Sequence, residues 1–165
     1  MRKIAGLAIA IFLMAACGSD TYEMKQKIEM GPFVFEVTNA SERVEFFTGG
    51  GRHKRIYVDL LLHTDKSSPS KVGFKDFMNG GAKEPRMIVF PAMKIVDDHG
   101  KKFDGLVNRV SGDTYWQAEF LLVDFRRGIK SGLDYTDRHI HNFQLVIKNP
   151  DPRKGQPSRV TIKLQ

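Results

Sequence analysis

Apolar residues recur at every second position through most of this chain, in segments separated by turn formers. PFVFEVTN (32–39) sets Phe33, Phe35 and Val37 on one face, with Glu36 and Thr38 on the other. ERVEFFT (42–48) has Val44 and Phe46 in phase. RIYVDLLLHT (55–64) groups Ile56, Val58, Leu60 and Leu62 against Asp59 and His63. A side-chain period of two, rich in β-branched and aromatic residues, is the signature of a strand with one buried face. MIVFPAMKIVDD (87–98) is a further apolar run, and its Pro91 predicts an edge, bulge or bend. Asp98-His99-Gly100-Lys101 reads as a turn, and KKFDGLVNRV (101–110) continues from it. YWQAEFLLVDF (115–125), HIHNFQLVIKN (139–149) and RVTIKLQ (159–165) complete the set, the last two separated by the loop NPDPRKGQP (149–157). The pattern predicts an all-β domain of about eight strands, a sandwich or a barrel. Helical signal is weak. The longest irregular stretch is 65–82, whose Phe74 and Phe77 are expected to plug one end of the core.

The one cysteine of the 165 residues stands where a greasy run stops. Arg2 and Lys3 give a positive start, Ile4–Ala16 carries no charge, and Gly18-Ser19-Asp20 turns polar. The run is shorter than the roughly 20 residues a membrane-spanning helix needs. It has the parts of a secretory leader that is removed. A lone thiol in an exported chain also calls for an explanation.

The stretch Leu13-Met14-Ala15-Ala16-Cys17 resembles the bacterial lipoprotein signal, with Met14 where that family usually has Leu, Val or Ile. The resemblance implies cleavage after residue 16 and acylation of Cys17, giving a membrane anchor through the lipid. Several acyl chains hold a protein on a bilayer stably. Gly18, rather than Asp, follows the cysteine. By the same resemblance the cell envelope is the destination: the outer membrane facing the periplasm in a Gram-negative source, otherwise the outer face of the cell membrane. Residues 17–27 then read as the lipidated terminus and a polar tether, and 28–165 as one domain.

Removing the leader takes two of 26 basic residues and none of 19 acidic ones, so the formal charge falls from +7 to +5. A moderate basic excess suits anionic lipid, lipopolysaccharide or acidic glycan. Nucleic acid is not an expected partner for an exported lipoprotein. No intramolecular disulfide is available, so burial alone must stabilise the fold.

FPAMKIVDDHGKKFDG is similar to a segment of the telokin-like, immunoglobulin-type domains of bacterial lipoproteins. In those, an apolar strand leads into an Asp/Asn-Gly turn and a following aromatic, places taken here by Ile95, Asp97, Gly100 and Phe103. The family's Pro-Gly segment before the penultimate strand is replaced by SGLDYTDRH (131–139). The resemblance implies an immunoglobulin-like antiparallel β-sandwich without known catalytic chemistry.

Several clusters invite chemistry. His139 and His141, two apart, share a face if they lie on a strand, and two imidazoles can begin a metal site, with His63, His99 or Asp137 as a third ligand. Phe143, Leu145 and Ile147 continue that face, which favours histidines at the rim of the core. Asp97-Asp98-His99-Gly100 lacks the distal acid of a calcium loop and reads as a hairpin turn. GGGRHKR (49–55) offers Arg52, His53, Lys54 and Arg55 as a basic finger for lipid or glycan, with Arg126, Arg127 and Lys130 as possible additions. Ser131, Asp134, Asp137 and His139 lack a nucleophile elbow and read as a polar loop, with Tyr135 a candidate corner tyrosine. The expectation is therefore a non-enzymatic envelope lipoprotein that binds or scaffolds a protein or glycan. It requires no cofactor and no metal. The competing expectation is a ligand- or metal-binding sensor centred on His139 and His141.

Overall fold

The computed structural model describes residues 20–46, 52–63, 71–78, 93–111, 114–122 and 138–165. They form one mixed sheet of nine strands, curled nearly into a barrel, plus one short helix. The strands are β1 (Asp20–Tyr22), β2 (Ile28–Met30), β3 (Phe33–Phe46), β4 (Arg52–His63), β5 (Met93–Asp97), β6 (Lys102–Ser111), β7 (Tyr115–Leu122), β8 (Phe143–Lys148) and β9 (Arg159–Lys163). Their order across the sheet is β1-β9-β8-β5-β6-β7-β4-β3-β2. The β1–β9 pair is parallel and all the others are antiparallel.

The all-β expectation holds, with two short strands that periodicity missed. Three residues are too few to display a period, so β1 and β2 carry no pattern of their own. Asp20–Tyr22, within the stretch read as a tether, adds to β9. The two edge strands are consecutive in the chain. Residues 23–27 carry it from one edge to the other, and the Lys25 N–H donates to the Val37 carbonyl at 2.8 Å. That crossing brings the sheet close to closure.

The segments 32–39 and 42–48, read as two strands, are one. Asn39-Ala40-Ser41 does not turn the chain. It is absorbed by a bulge, where the register with β4 shifts between Val37 and Asn39. The Thr38 hydroxyl donates to the Asp59 carbonyl (3.3 Å), and the Asn39 amide to the Asp59 carboxylate (3.0 Å). A bulge adds one residue to one strand and therefore inverts which residues face inward. Before it, Phe33, Phe35 and Val37 face the core. After it, Ala40, Glu42 and Val44 stand opposite Val58, Ile56 and Lys54 on the inner side.

The helix α1 (Lys71–Met78) corrects the expectation of an irregular 65–82. Phe74, Phe77 and Met78 are buried at a spacing of i, i+3, i+4, one face of a short helix. The expected plug is there. Phe74 packs on Phe33, Phe35 and Trp116 with ring centroids 5.2, 5.8 and 5.6 Å away, and Phe77 packs on Phe33 at 5.1 Å. The rest of the core lines the inner face, with Ile56, Leu60, Ile95, Phe120, Leu145 and Ile162 fully buried. Each such side chain contributes about 1.5–3 kcal/mol relative to exposure.

One strand belongs to both halves of the sheet. Lys102–Asp104 of β6 pair with β5, and from Gly105 onward β6 pairs with β7. Gly105 lies opposite Phe120, whose ring covers it so closely that an added Cβ would meet it at 2.1 Å. The strand bends from one half into the other where it has no side chain. Overpacked cores typically lose 1–3 kcal/mol. Gly105→Ala is therefore expected to destabilise the fold by about 2–3 kcal/mol, read by denaturant unfolding, with Phe120→Leu in the same chain restoring part of the loss. An unchanged midpoint for Gly105→Ala would refute this packing.

Candidate functional site

The residues of the expected basic finger lie on a strand. Arg52, His53, Lys54 and Arg55 open β4, opposite Phe46, Glu45, Val44 and Arg43 of β3. Successive side chains of a strand point to opposite faces, so the four cations divide between two environments. His53 and Lys54 are both buried.

On the inner side, the Lys54 ammonium donates to Glu42 Oε1 at 3.2 Å and also to the Arg138 carbonyl. Glu42 Oε1 in turn lies 3.6 Å from Nδ1 of His139. The Arg138 guanidinium pairs with Asp98 at the β5–β6 turn. A buried cation needs both a counter-charge and hydrogen bonds to remain charged. Lys54 finds them on two separate parts of the chain, Glu42 on its own hairpin and the backbone that leads into β8. It thereby ties the end of the β3–β4 hairpin across the mouth of the barrel. Glu42 is on this side because of the bulge.

On the outer side, Glu45 is the hub. It accepts from the Tyr57 hydroxyl (3.1 Å), pairs with Arg55 Nε (2.8 Å) and meets His53 Nε2 (3.1 Å). Arg55 also pairs with Glu119 on β7. Burial pushes the Glu45 carboxyl upward, but Tyr57, Arg55 and His53 together outweigh it and hold the group below its ordinary value. Burial raises the Tyr57 phenol, and Glu45 raises it further. Two cations end on rings instead: Arg43 lies over Tyr57 (5.6 Å) on this face, and Arg52 over Phe46 (5.4 Å) on the face of Lys54, at the exposed end of the hairpin. Phe46 is 70% exposed and Val44 is 44% exposed.

His139 and His141 are not on a strand. They flank and enter a 3₁₀ turn, Ile140–Asn142, that precedes β8, so the shared face with Phe143, Leu145 and Ile147 does not exist. The Asn142 side chain accepts from the His139 N–H at 3.2 Å, and the Asn142 N–H donates to the His139 carbonyl at 2.9 Å. The rings nonetheless stack, with centroids 5.6 Å apart and planes 18° from parallel. His63 faces Glu36 at 3.5 Å, and His99 is exposed in the β5–β6 turn. Among the described residues no three His, Cys, Asp or Glu side chains are placed to hold a metal ion. Asp97, in the expected hairpin turn, accepts from the His99 and Lys101 N–H groups at 2.9 and 2.8 Å, as a turn requires. Beside it, a groove of about 640 Å³ is lined by Asp98, His141, Gln144, Lys163 and Gln165, among others.

Cys17, the leader, Pro91, the glycines 49–51, Arg126, Arg127, Lys130, Ser131, Asp134, Tyr135 and Asp137 lie outside the described residues. Sequence reasoning missed Glu42, Glu45, Tyr57 and Glu119 as partners of the basic cluster. A signal was available: reading 42–48 and the strand from Arg52 as two arms of a hairpin sets Glu45 opposite His53, as observed.

A third feature is the edge of β3. β2 covers it only over Phe33–Phe35. Beyond the Lys25–Val37 bond, no described strand pairs with Asn39–Phe46 on the side away from β4. Comparison with known proteins gives no relative, because no family model, no curated protein and no solved structure matches the chain.

Truncating Lys54 leaves Glu42 and the Arg138 carbonyl without their donor. Lys54→Ala is expected to cost about 3 kcal/mol, measured by chemical unfolding. Glu45 gives a pH test. A carboxyl held below its ordinary value contributes stability above that value and loses it as pH falls through the folded value. Glu45→Gln is thus expected to be less stable than wild type at neutral pH, with the two thermal-melting curves converging as acid protonates the carboxyl. Parallel curves down to strong acid would remove Glu45 from this role.

Proposed function

We propose that the protein is a lipid-anchored lipoprotein of the cell envelope, whose domain binds or scaffolds another protein by accepting a strand on the free edge of β3. The observation that carries this reading is the run Asn39–Phe46, which no described strand covers on the side away from β4. An unpaired edge exposes a row of N–H and C=O groups, and extended peptides add to such rows with main-chain hydrogen bonds while pockets select side chains. Val44 and Phe46 are the exposed apolar side chains beside that row. The network of Lys54 and Glu45 holds this hairpin straight on both faces, so the edge is presented in a fixed shape.

An immunoglobulin-like sandwich is the finer reading of the fold. It is supported by the strand order, because β3-β4-β7-β6 and β6-β5-β8-β9 follow the two-sheet order of that class, with β6 shared between the sheets.

Two measurements test the proposal. Intact mass of protein extracted from membranes is expected to lack residues 1–16 and to carry acyl mass on Cys17; a retained leader and a bare thiol would overturn the anchor. A photo-crosslinker at Ser41 is expected to capture one discrete protein partner in intact membranes. Val44→Pro should cut that capture at least tenfold while leaving the melting temperature within a few degrees. Equal capture by both proteins, or a smear of abundant bystanders, would overturn edge binding.

A further inference from the structure

The β8–β9 hairpin gathers cations that nothing described neutralises. Lys148 and Arg159 stand directly opposite each other across β8 and β9, both exposed on the outer face. Like charges at directly opposed positions destabilise a strand pair. The loop between them adds Arg153 and Lys154, both exposed. None of the four has a carboxylate partner among the described residues. The acids nearby are Asp151, in the same loop, and Asp20, at the start of β1.

This loop is built rather than loose. Asn149, 3% exposed, donates to the Pro157 carbonyl at 3.0 Å and accepts from the Asp151 N–H at 3.1 Å. The Asn149 N–H donates to the Ser158 carbonyl at 2.8 Å. Gln156 closes the tip, accepting from the Arg153 N–H at 3.3 Å and donating to the Gly31 carbonyl at 3.0 Å. Gly155 takes φ +86°, which a side chain would strain. The cations therefore project from a fixed frame.

The position of the frame supplies the occupant. Asp20 pairs with Val160, the residue after Arg159. Three positions separate Cys17 from Asp20, a span of at most about 11 Å. In the lipid-anchored reading, which this inference rests on, the hairpin end of the barrel is held within that distance of the bilayer. Phe46 lies at the far end of β3, roughly 40 Å from Phe33 at the rise of an extended strand.

We propose that Lys148, Arg153, Lys154 and Arg159 form a surface that rests on the anionic headgroups of the anchoring membrane, so that the domain stands upright with the β3 edge pointing away. Basic groups within a Debye length of anionic lipid are attracted to it, and salt removes the attraction.

The test has two arms. In the first, residues 17–165 carrying Cys17→Ser, which have neither leader nor acyl anchor, are floated with phosphatidylglycerol or phosphatidylcholine vesicles. Binding is expected at least tenfold stronger to phosphatidylglycerol, lost in about 0.5 M salt, and reduced severalfold by Lys154→Glu. Lys102→Glu makes the same change of net charge elsewhere and should have no comparable effect. No lipid preference, or equal loss from both substitutions, would overturn the proposal whether or not the natural chain is acylated. In the second arm, the acylated protein carries a fluorophore on Pro152→Cys or Phe46→Cys in vesicles with a headgroup quencher. Strong quenching at 152 and weak quenching at 46 is expected. The reverse order, with the protein still in the vesicle fraction, would overturn the orientation and leave the anchor standing.

Discussion

The single extra residue in β3 decides what the far end of this molecule looks like. Without the bulge at Thr38, the alternation of Phe33, Phe35 and Val37 would continue inward through Asn39, Ser41, Arg43 and Glu45, and Glu42 would point outward. With it, Glu42 turns inward to meet Lys54, and Glu45 turns outward to meet Tyr57, Arg55 and His53. The same side-chain chemistry in the other phase would leave Lys54 buried without a counter-charge, a state that costs several kcal/mol. Asp59 pins the bulge from β4, accepting from Asn39 with its carboxylate and from Thr38 with its carbonyl, while Gln117 on β7 donates to the same carboxylate at 2.8 Å.

This dependence also explains what could be read in advance. The strands with several alternating residues, such as RIYVDLLLH and YWQAEFLL, announced themselves because each buries one face and wets the other. Asn39-Ala40-Ser41 looked like a break because turn formers dominate it; only the partner strand reveals that the chain runs on. The helix carrying Phe74 and Phe77 was hidden by its shortness, though its plugging role was visible in the aromatics themselves. The histidines misled for a related reason. Two apart on a strand means one face, whereas in a 3₁₀ turn it brings the rings together by stacking. The cations at 52–55 were legible as a cluster, and reading the flanking segments as hairpin arms would have set Glu45 opposite His53; the burial of His53 and Lys54 was not legible from the basic cluster.

Two ends of the barrel carry different chemistry. At one, Lys54 and Glu45 fix a hairpin whose edge is paired by no described strand beyond Val37. At the other, Asn149 and Gln156 fix a loop whose cations have no carboxylate partner among the described residues. In both places buried or half-buried polar groups satisfy the backbone and hold a shape, while other groups are left outward. Stability and presentation are thus assigned to different side chains within the same few residues.

The pairing of β1 with β9 has a consequence for how the molecule comes into being. It joins the first described strand to the last, so the sheet cannot be completed until Val160–Ile162 exist to receive Asp20–Tyr22. Contacts between positions so distant in the chain are entropically dear and form slowly. The N-terminal strand therefore has no partner in the sheet until the last strand of the chain has been made.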